Sequence, residues 1–314
     1  MRSVAPRVSV VIPTFNAAAT VDAALASVAA QAFDGLEVIV VDDGSRDGTA
    51  ERAEAALRGA GLSHQVLRQP ENGGPARARN RGVAVARGEY VAFLDADDEW
   101  LPGKVARQVE ILDADPSVTL CGCQAVWVDG GGRVVEPLFT GLPARLRDGW
   151  KRLLWECYVA TPCVMVRRDD LGVQPFDPAL RVGEDRDLWI KLASNGVVGL
   201  AQEVLVRIRL SPESFMPRNT DALVTCTRPM IERHIRDLGG HLSLRQRMLA
   251  LGSLDSQIGK SIVGARDRYA EGGAYLLRSV LQGYRPLDGL RELAYRAPGL
   301  RDVKPRVKRL MGRT

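Results

Sequence analysis

Short apolar runs alternate with helix-like segments at the start of the chain. Residues 8–12 and 36–41 are rich in β-branched side chains and almost continuously apolar, a pattern typical of parallel strands buried on both faces. Between them, Val21, Leu25 and Val28 recur at the spacing of one helix face. The pattern predicts a strand, a helix and a second parallel strand.

The same alternation continues and then becomes less regular. Strands that alternate with helices of this length favour a doubly wound α/β sheet. Further helices are predicted at 49–58, 75–86, 102–112 and 185–194, and further strands at 65–68, 90–94, 118–128, 133–136, 163–166 and 203–208. Beyond residue 211 the pattern is mainly helical, at 222–238, 244–263 and 266–281. We therefore predict an α/β domain over 1–210 and a helical C-terminal extension over 211–314.

The positive charge is concentrated at the C-terminal end. The formal charge is +5, but residues 260–314 alone carry +8, which leaves −3 for the first 259 residues. Two interpretations of the last residues, Lys304, Arg306, Lys308 and Arg309, stay open. They lie on an anionic membrane surface, or they form an exposed basic terminus. Few aromatic residues accompany them, so nucleic-acid binding is not expected.

Location is predicted from the apolar runs and the cysteines. No run approaches the ~18 apolar residues of a membrane span, and residues 1–7 lead into a strand-like segment without a signal-peptide core. The five cysteines include no C-x-x-C pair, which favours reduced cysteines over a disulfide framework. The expected location is cytoplasmic, with peripheral contact at the inner face of the membrane if the basic tail binds lipid.

Polar side chains follow three of the predicted strands. In open α/β sheets, ligands bind beyond the carboxyl ends of the strands, near the point where strand order reverses. We therefore expect these side chains to share one edge. They are Pro13, Thr14, Phe15 and Asn16 after the first strand, Asp42 and Asp43 after the second, and Asp95, Asp97 and Asp98 after the fourth.

Several common sites are absent from the sequence. No G-x-G-x-x-G follows the first strand, and no G-x-x-x-x-G-K-[ST] occurs. The three histidines, His64, His234 and His241, form no pair at metal-ligand spacing. Dinucleotide, P-loop and zinc sites are therefore not expected.

Asp95 and Asp97 are the candidate metal ligands. At i and i+2 of an extended segment, their carboxylates lie on the same side. Oxygen ligands suit Mg²⁺ or Mn²⁺, which can bridge the two phosphates of a nucleoside diphosphate. An acidic turn that caps the next helix is the alternative.

Residues 72–82 read as a turn followed by a helix with Arg77 and Arg79 near its N-terminal end. The helix dipole and the guanidinium groups would both favour a diphosphate there. A solvated amphipathic helix is the alternative, and for Arg77 and Arg81 individually it is the favoured one. A diphosphate site at this helix would strengthen the interpretation of Asp95 and Asp97 as metal ligands.

Residues 8–209 resemble the family-2 glycosyltransferases, which have the GT-A nucleotide-diphospho-sugar transferase fold. The resemblance depends on five motifs in family order. They are V-S-V-V-I-P-T-F-N at 8–16, V-V-D-D-G-S at 40–45, the segment 72–82, F-L-D-A-D-D at 93–98 and G-E-D-R-D-L-W at 183–189.

The resemblance implies an inverting, metal-dependent transfer of a sugar, with UDP-sugars favoured, to a glycan, lipid-linked or other hydroxyl acceptor, in cell-surface polysaccharide or glycoconjugate synthesis. It implies a nucleotide-sugar half at about 1–100 and an acceptor half at about 101–210. Asp97 would bind Mn²⁺ or Mg²⁺ directly. The residues expected to bind the nucleotide-sugar are Pro13, Thr14, Phe15, Asp43, Arg79 and Asp95.

The G-E-D motif carries the predicted catalytic base. By resemblance, Asp185 removes the proton of the acceptor hydroxyl, and Glu184 and Trp189 shape the acceptor pocket. An acidic cap on the following helix is the alternative. Many family members carry a histidine after the last sheet strand, where this chain has Arg207 and Arg209. Either arginine is a candidate for the diphosphate.

Two other functions remain as alternatives. A nucleotidyltransferase would need a glycine-rich basic loop after the first strand, and this chain has Pro13 to Asn16 there. A non-catalytic sugar-nucleotide or glycan-binding protein is the second, because a fold alone does not imply activity. Asp43, Asp97 and Asp185 favour the enzyme.

Overall fold

A computed structural model describes residues 5–210, 220–263 and 268–284. They divide into two compact units, the first formed by 5–153 and 157–210 and the second by 154–156, 220–263 and 268–284. The predicted domain boundary at 210/211 borders a segment outside the described residues. The basic tail predicted at Lys304 to Arg309 lies outside them too.

A ten-stranded mixed sheet forms the centre of the first unit. The central strands consist mainly of Val and Ile side chains that are fully buried, because both sheet faces are covered. The strands are β1 Val8–Thr14, β2 Leu36–Asp42, β3 Ser63–Arg68, β4 Tyr90–Phe93, β5 Glu99–Trp100, β6 Val118–Val128, β7 Val134–Leu138, β8 Arg145–Leu146, β9 Met165–Arg167 and β10 Val197–Arg209.

Helices connect and flank these strands. They begin at points where the apolar period changes from that of a strand to that of a helix. They are α1 Val21–Ala29, α2 Thr49–Gly59, α3 Pro75–Val85, α4 Lys104–Ala114, α5 Gly149–Leu153 and α6 Glu184–Ser194. Short 3₁₀ turns occupy Thr161–Cys163 and Arg168–Asp170. The predicted α/β fold class is confirmed.

Strand order reverses beside β1. The order is β3-β2-β1-β4-β9-β6-β10-β5, with β7 beside β6 and β8 beside β10. β1, β2, β3 and β4 are parallel, and Thr14 is in register with Asp42. The chain runs outward from β1 to β3 and returns to β4 on the other side of β1. A crevice at the carboxyl ends of β1 and β4 is therefore the expected place for a ligand.

The predicted strand bounds differ from the observed ones at several ends, among them the starts of β10 and β9. β10 begins at Val197 rather than 203, since residues 197–201 also pair with β6. β9 begins at Met165 rather than 163, because Thr161–Cys163 forms a 3₁₀ turn with Pro162 at its centre. Proline donates no backbone hydrogen bond to a sheet, which delays the strand.

The second unit is helical where it is described. Its elements are α7 Thr220–Ala222, a π-helical turn at Leu223–Thr227, α8 Arg228–Asp237, a 3₁₀ turn at Gly239–His241, α9 Leu244–Val263 and α10 Tyr269–Leu281. α9 and α10 approach closely at Gly259, where a Cβ would lie 2.7 Å from Leu276 Cγ. None of the described helices combines the length and the apolarity that a membrane crossing requires.

Candidate functional site

Asp43 organises the loop that follows β2. Its carboxylate is 3% exposed and accepts hydrogen bonds from Gln69 Nε2 at 2.7 Å, Gly73 N at 2.9 Å and Gly74 N at 2.7 Å. The next residue, Gly44, has φ +80°, and a Cβ there would lie 2.9 Å from the Glu71 carbonyl carbon. Only glycine fits this close approach without strain. Asp43 thus ties the carboxyl end of β2 to the start of α3.

The segment after β1 lies against the same loop. Pro13 and Thr14 are the last residues of β1, and Thr14 O accepts a hydrogen bond from Asp43 N at 2.8 Å. Phe15 is 49% exposed, which is high for an aromatic side chain. Asn16 N donates to Ser45 Oγ at 2.9 Å. The structure therefore places Pro13, Thr14, Phe15 and Asp43 at one edge, with an aromatic face open to solvent.

Arg79 on α3 is buried and holds two carboxylates. Its Nη2 donates to Asp95 Oδ1 at 2.8 Å and its Nη1 to Glu184 Oε1 at 2.8 Å, while the side chain is 5% exposed. The guanidinium carbon lies 5.5 Å from the centre of the Phe176 ring. Arg79 therefore joins the ends of three elements: α3, the segment after β4 and α6.

Burial and charge act in opposite directions on this ion-pair cluster. Burial alone would lower the pKa of Arg79, but the charges of Asp95 and Glu184 outweigh it and raise that pKa above its ordinary value. For Glu184, burial and the nearby Asp185 charge raise the pKa against the opposing effect of Arg79. Arg79 therefore stays positively charged next to Asp95 and Glu184.

The acids after β4 have different environments. The Asp97 residue is exposed to solvent. Partial desolvation by the surrounding chain, together with the charge of Asp95, nevertheless raises the pKa of its carboxyl group. Asp98 is buried and accepts a hydrogen bond from Arg209 N at 2.9 Å. Burial, Asp95 and Asp97 raise its pKa well above the usual range. Asp97 is therefore the most solvent-exposed of the three aspartates in this segment.

Both ends of this acidic segment are anchored. Asp95 is held by Arg79, as described above. At the other end, Trp100 N donates to Ser27 Oγ on α1 at 3.0 Å, and Trp100 Nε1 donates to Pro162 O at 2.8 Å. Asp97 lies between two fixed points.

Of the two candidate arginines in β10, Arg209 bonds to the acidic segment through its side chain. Arg209 Nε donates to Asp97 O at 3.3 Å, and its Nη2 lies 3.2 Å from Glu99 Oε1. Arg207 is exposed and pairs in the sheet with Glu99 of β5. The assignment of either arginine to a diphosphate stays a prediction.

Asp185 lies in the first turn of α6 beside Glu184. Its Oδ2 accepts a hydrogen bond from Thr161 Oγ1 at 3.1 Å, and its Oδ1 accepts one from Arg186 N at 2.6 Å. Trp189, predicted to shape the acceptor pocket, is fully buried and packs against Phe93 and Phe176. Trp189 could therefore affect an acceptor only indirectly, through the residues that pack against it.

Thr161, Phe176 and Gln69 were not among the site residues predicted from the sequence. Each contacts a predicted site residue, but it comes from a separate part of the chain. No motif surrounds these three residues, so only the folded contacts reveal them. The one weak sequence signal was for Phe176, which lies a few positions before the G-E-D motif.

Comparisons with known sequences identify the same region. The family described as glycosyl transferase family 2 matches residues 9–172. The putative teichuronic acid biosynthesis glycosyltransferase TuaG of Bacillus subtilis is 32% identical over 216 residues, which cover 67% of this chain and 81% of TuaG. An uncharacterized glycosyltransferase of Rickettsia conorii is 28% identical over 68% of this chain. The chain covers only 35% of that relative's length.

Solved structures share the fold over nearly the whole chain. S. aureus TarS 1–349 in complex with UDP has a TM-score of 0.57 at 22% identity, covering 92% of this chain and 90% of TarS. The mannosyltransferase PcManGT from Pyrobaculum calidifontis, in complex with GDP-Man and Mn²⁺, has a TM-score of 0.54 at 21% identity, covering 99% and 89%. These likenesses confirm the predicted GT-A fold. On the family match and the likeness to TuaG, the chain belongs to glycosyl transferase family 2.

Proposed function

We propose that this protein transfers a sugar, with inversion, from a nucleotide-diphospho-sugar to the hydroxyl group of an acceptor. The supporting observation is the convergence of Asp43, Asp97 and Asp185 on one region, linked through the buried pairs of Arg79 with Asp95 and Glu184. These residues come from β2, the segment after β4 and the start of α6. A UDP-sugar is the proposed donor, because TarS, of the same fold, was solved in complex with UDP.

The residues of the donor edge have separate roles. Phe15 offers an exposed ring against which a base can stack, and aromatic stacking is sequence-tolerant and favourable. Asp43 is already held by three donors, but a carboxylate has about four acceptor positions, so one position stays open for an N–H of the base. Asp95, fixed by Arg79, accepts hydrogen bonds from sugar hydroxyls.

Asp185 is the proposed general base. The hydrogen bonds from Thr161 and Arg186 N orient its carboxylate. In the ionised form it accepts the proton of the acceptor hydroxyl as that oxygen attacks the anomeric carbon and the bond to the diphosphate breaks. Glu184, buried beside it and fixed by its pair with Arg79, is proposed to shape the acceptor pocket.

The residues present fit a divalent cation of the hard class. Mg²⁺ is usually held by one or two carboxylates together with substrate phosphates and water. Among the described residues, no three His, Cys, Asp or Glu side chains form a group that could hold a metal ion. Asp97 would hold Mn²⁺ or Mg²⁺, and such an ion would supply positive charge opposite the diphosphate. PcManGT, solved in complex with GDP-Man and Mn²⁺, supports this choice.

The proposed setting is the synthesis of a cell-surface polysaccharide or glycoconjugate. TuaG is named for teichuronic acid biosynthesis, and AmsB of Erwinia amylovora, 31% identical over 192 residues, is named for amylovoran biosynthesis. A cytoplasmic location follows from that setting. Contact of the basic tail at Lys304, Arg306, Lys308 and Arg309 with an anionic membrane is part of the same proposal and suits a lipid-linked acceptor.

Calorimetry of UDP binding tests the donor half of this proposal. We expect binding in Mn²⁺ that is lost in EDTA and in Asp97→Ala. The exposed Asp34→Ala variant, outside the site, serves as the matched acidic control and retains binding. Wild-type protein that binds none of UDP, GDP and dTDP with Mn²⁺ would contradict the proposal and favour a non-catalytic glycan-binding protein.

A further inference from the structure

A cavity of about 430 Å³ lies between the start of α3 and the chain that leads into α6. Residues 72–77 form one side, and Pro178, Leu180 and Arg181 form the other. Asp43 fixes the first side through its bonds to Gly73 and Gly74. None of the lining residues of this described cavity is acidic. Its charge is therefore positive, from Arg77 and Arg181.

Both arginines are free to bind an anion. They are exposed, and neither forms an ion pair with any residue in the described part of the chain. Arg79, two positions along the same helix, is by contrast fully engaged with Asp95 and Glu184. Two unpaired guanidinium groups thus line opposite sides of one cavity.

The stem of Arg77 is held in place. A Cβ at residue 73 would lie 2.7 Å from Arg77 Cδ, so the aliphatic part of Arg77 packs directly over the bare glycine. Because Asp43 anchors Gly73, the path of Arg77 follows from the same bonds that shape the donor edge. This reduces the entropy that the side chain loses on binding a ligand.

The cavity and the proposed base lie close together along the chain. Arg181 precedes Asp185 by four positions, a stretch that spans at most about 14 Å when fully extended. The Arg79–Glu184 pair joins α3 to the first residue of α6 at 2.8 Å. One wall of the cavity comes from the start of α3 and the other from the chain just before α6, the two helices that this buried pair connects.

We propose that this cavity binds an oxyanion group, phosphate or carboxylate, carried by the acceptor. The proposal depends on the function proposed above and specifies its acceptor as anionic. A planar guanidinium donates two parallel hydrogen bonds to either kind of oxyanion. Two such groups facing one cavity select acceptors that carry an anion near the reactive hydroxyl.

Binding of small anions tests this assignment without knowledge of the acceptor. The probes are inorganic phosphate, methyl β-D-glucuronide and the neutral methyl β-D-glucoside, titrated at low salt with and without saturating UDP and Mn²⁺. The proteins are wild type, Arg77→Met, Arg181→Met and, as the matched control, Arg81→Met. Arg81 is exposed on the same helix and lies outside the cavity lining.

We expect an anion, but not the glucoside, to bind the UDP-loaded chain. Each cavity variant should weaken that binding by about tenfold or more, as expected for a lost hydrogen bond to a charged group. Arg81→Met should bind as wild type does. Equal anion binding by all four proteins, or none by wild type, would overturn the assignment.

Two further outcomes separate this inference from the proposed function. If Arg77→Met and Arg181→Met lose UDP affinity and the loaded wild type binds no anion, the arginines serve the donor and the inference is wrong. If wild type binds anions through both arginines but no nucleotide, the cavity is supported as an anion site while the donor assignment fails.

Discussion

Arg79 Nη1 and Glu184 Oε1 lie 2.8 Å apart and join parts of the chain separated by 105 positions. The pair is buried, and Arg79 also holds Asp95. Charges removed from water are costly unless each has a partner. The link therefore couples the geometry of the donor side to the position of α6.

Replacement of Arg79 should be strongly destabilising. In Arg79→Met, Glu184 loses its buried partner, and we expect the free energy of unfolding to fall by about 3–5 kcal/mol. Urea denaturation measures this. Arg79→Met/Glu184→Leu should recover part of the loss, because Glu184, the more deeply buried of the two carboxylate partners, no longer stays behind without its cation. The exposed control Arg81→Met should change stability by no more than about 0.5 kcal/mol, and an equal loss there would contradict the role of the pair.

Asp185→Asn should remove catalysis without affecting donor binding. We expect the rate of transfer to fall by roughly 10²–10⁴, the usual contribution of a general base. The rate is measured with whichever UDP-sugar the wild type turns over, and UDP affinity by calorimetry. Thr161→Val, which removes only the hydrogen bond to Asp185 Oδ2, should cost about tenfold or less. Transfer at the wild-type rate in Asp185→Asn would exclude it as the base.

The sequence predicted the sheet well and the contacts around the site poorly. Residues 8–12, 36–41 and 118–128 have strongly apolar, β-branched patterns, and each lies within an observed strand. Their identity as strands depends on local side chains. The pairing of Arg79 with Glu184 depends instead on which chain ends the fold brings together, and no local pattern encodes a partner 105 positions away.

Trp189 also shows that a local pattern can predict a helix without predicting which side of it is buried. The pattern around it predicts a helix, which the structure confirms as α6. Which side of that helix faces the core depends on how it packs. The packing places Trp189 among Phe93 and Phe176, away from solvent. The role of Trp189 in an acceptor pocket stays a prediction.

Glu37 should make stability depend on acid pH. Burial alone would raise its pKa, but hydrogen bonds from Ser9 Oγ at 2.6 Å and from Arg87 N at 2.7 Å hold the pKa below its usual value. A depressed pKa contributes stability that is present above the unfolded-state value and is lost as pH falls through the folded-state value.

Glu37→Gln should therefore lower the free energy of unfolding by about 1.5–3 kcal/mol at pH 7. The difference from wild type should shrink as the pH falls below about 4. Urea denaturation at both pH values measures it. Exposed Glu136→Gln serves as the control, and a difference for Glu37→Gln that stayed constant down to pH 3 would contradict the assignment.

Lys104 should make stability rise with pH in the alkaline range. It is fully buried, its Nζ lies 3.9 Å from the centre of the Trp100 ring, and burial lowers its pKa to about 8. Between pH 8 and the usual value of 10.5, the unfolded chain binds a proton that the folded chain does not. Stability therefore rises with pH across this window, by about 3 kcal/mol in total.

Lys104→Met should abolish this rise, because the titrating amine is gone. Chemical denaturation at pH 7, 8, 9 and 10 provides the comparison with wild type. The exposed Lys260→Met variant should keep the wild-type slope. A slope that persisted in Lys104→Met would show that another group is responsible.

The acidic segment after β4 is fastened at Asp95 by Arg79 and at Trp100 by Ser27 and Pro162. Asp97 is therefore held in one place, and on the proposed function little ordering of this stretch has to accompany nucleotide binding. On the same proposal, a change of preferred sugar during evolution is expected to come from side chains that surround this stretch, since a shift of its path would release an anchor.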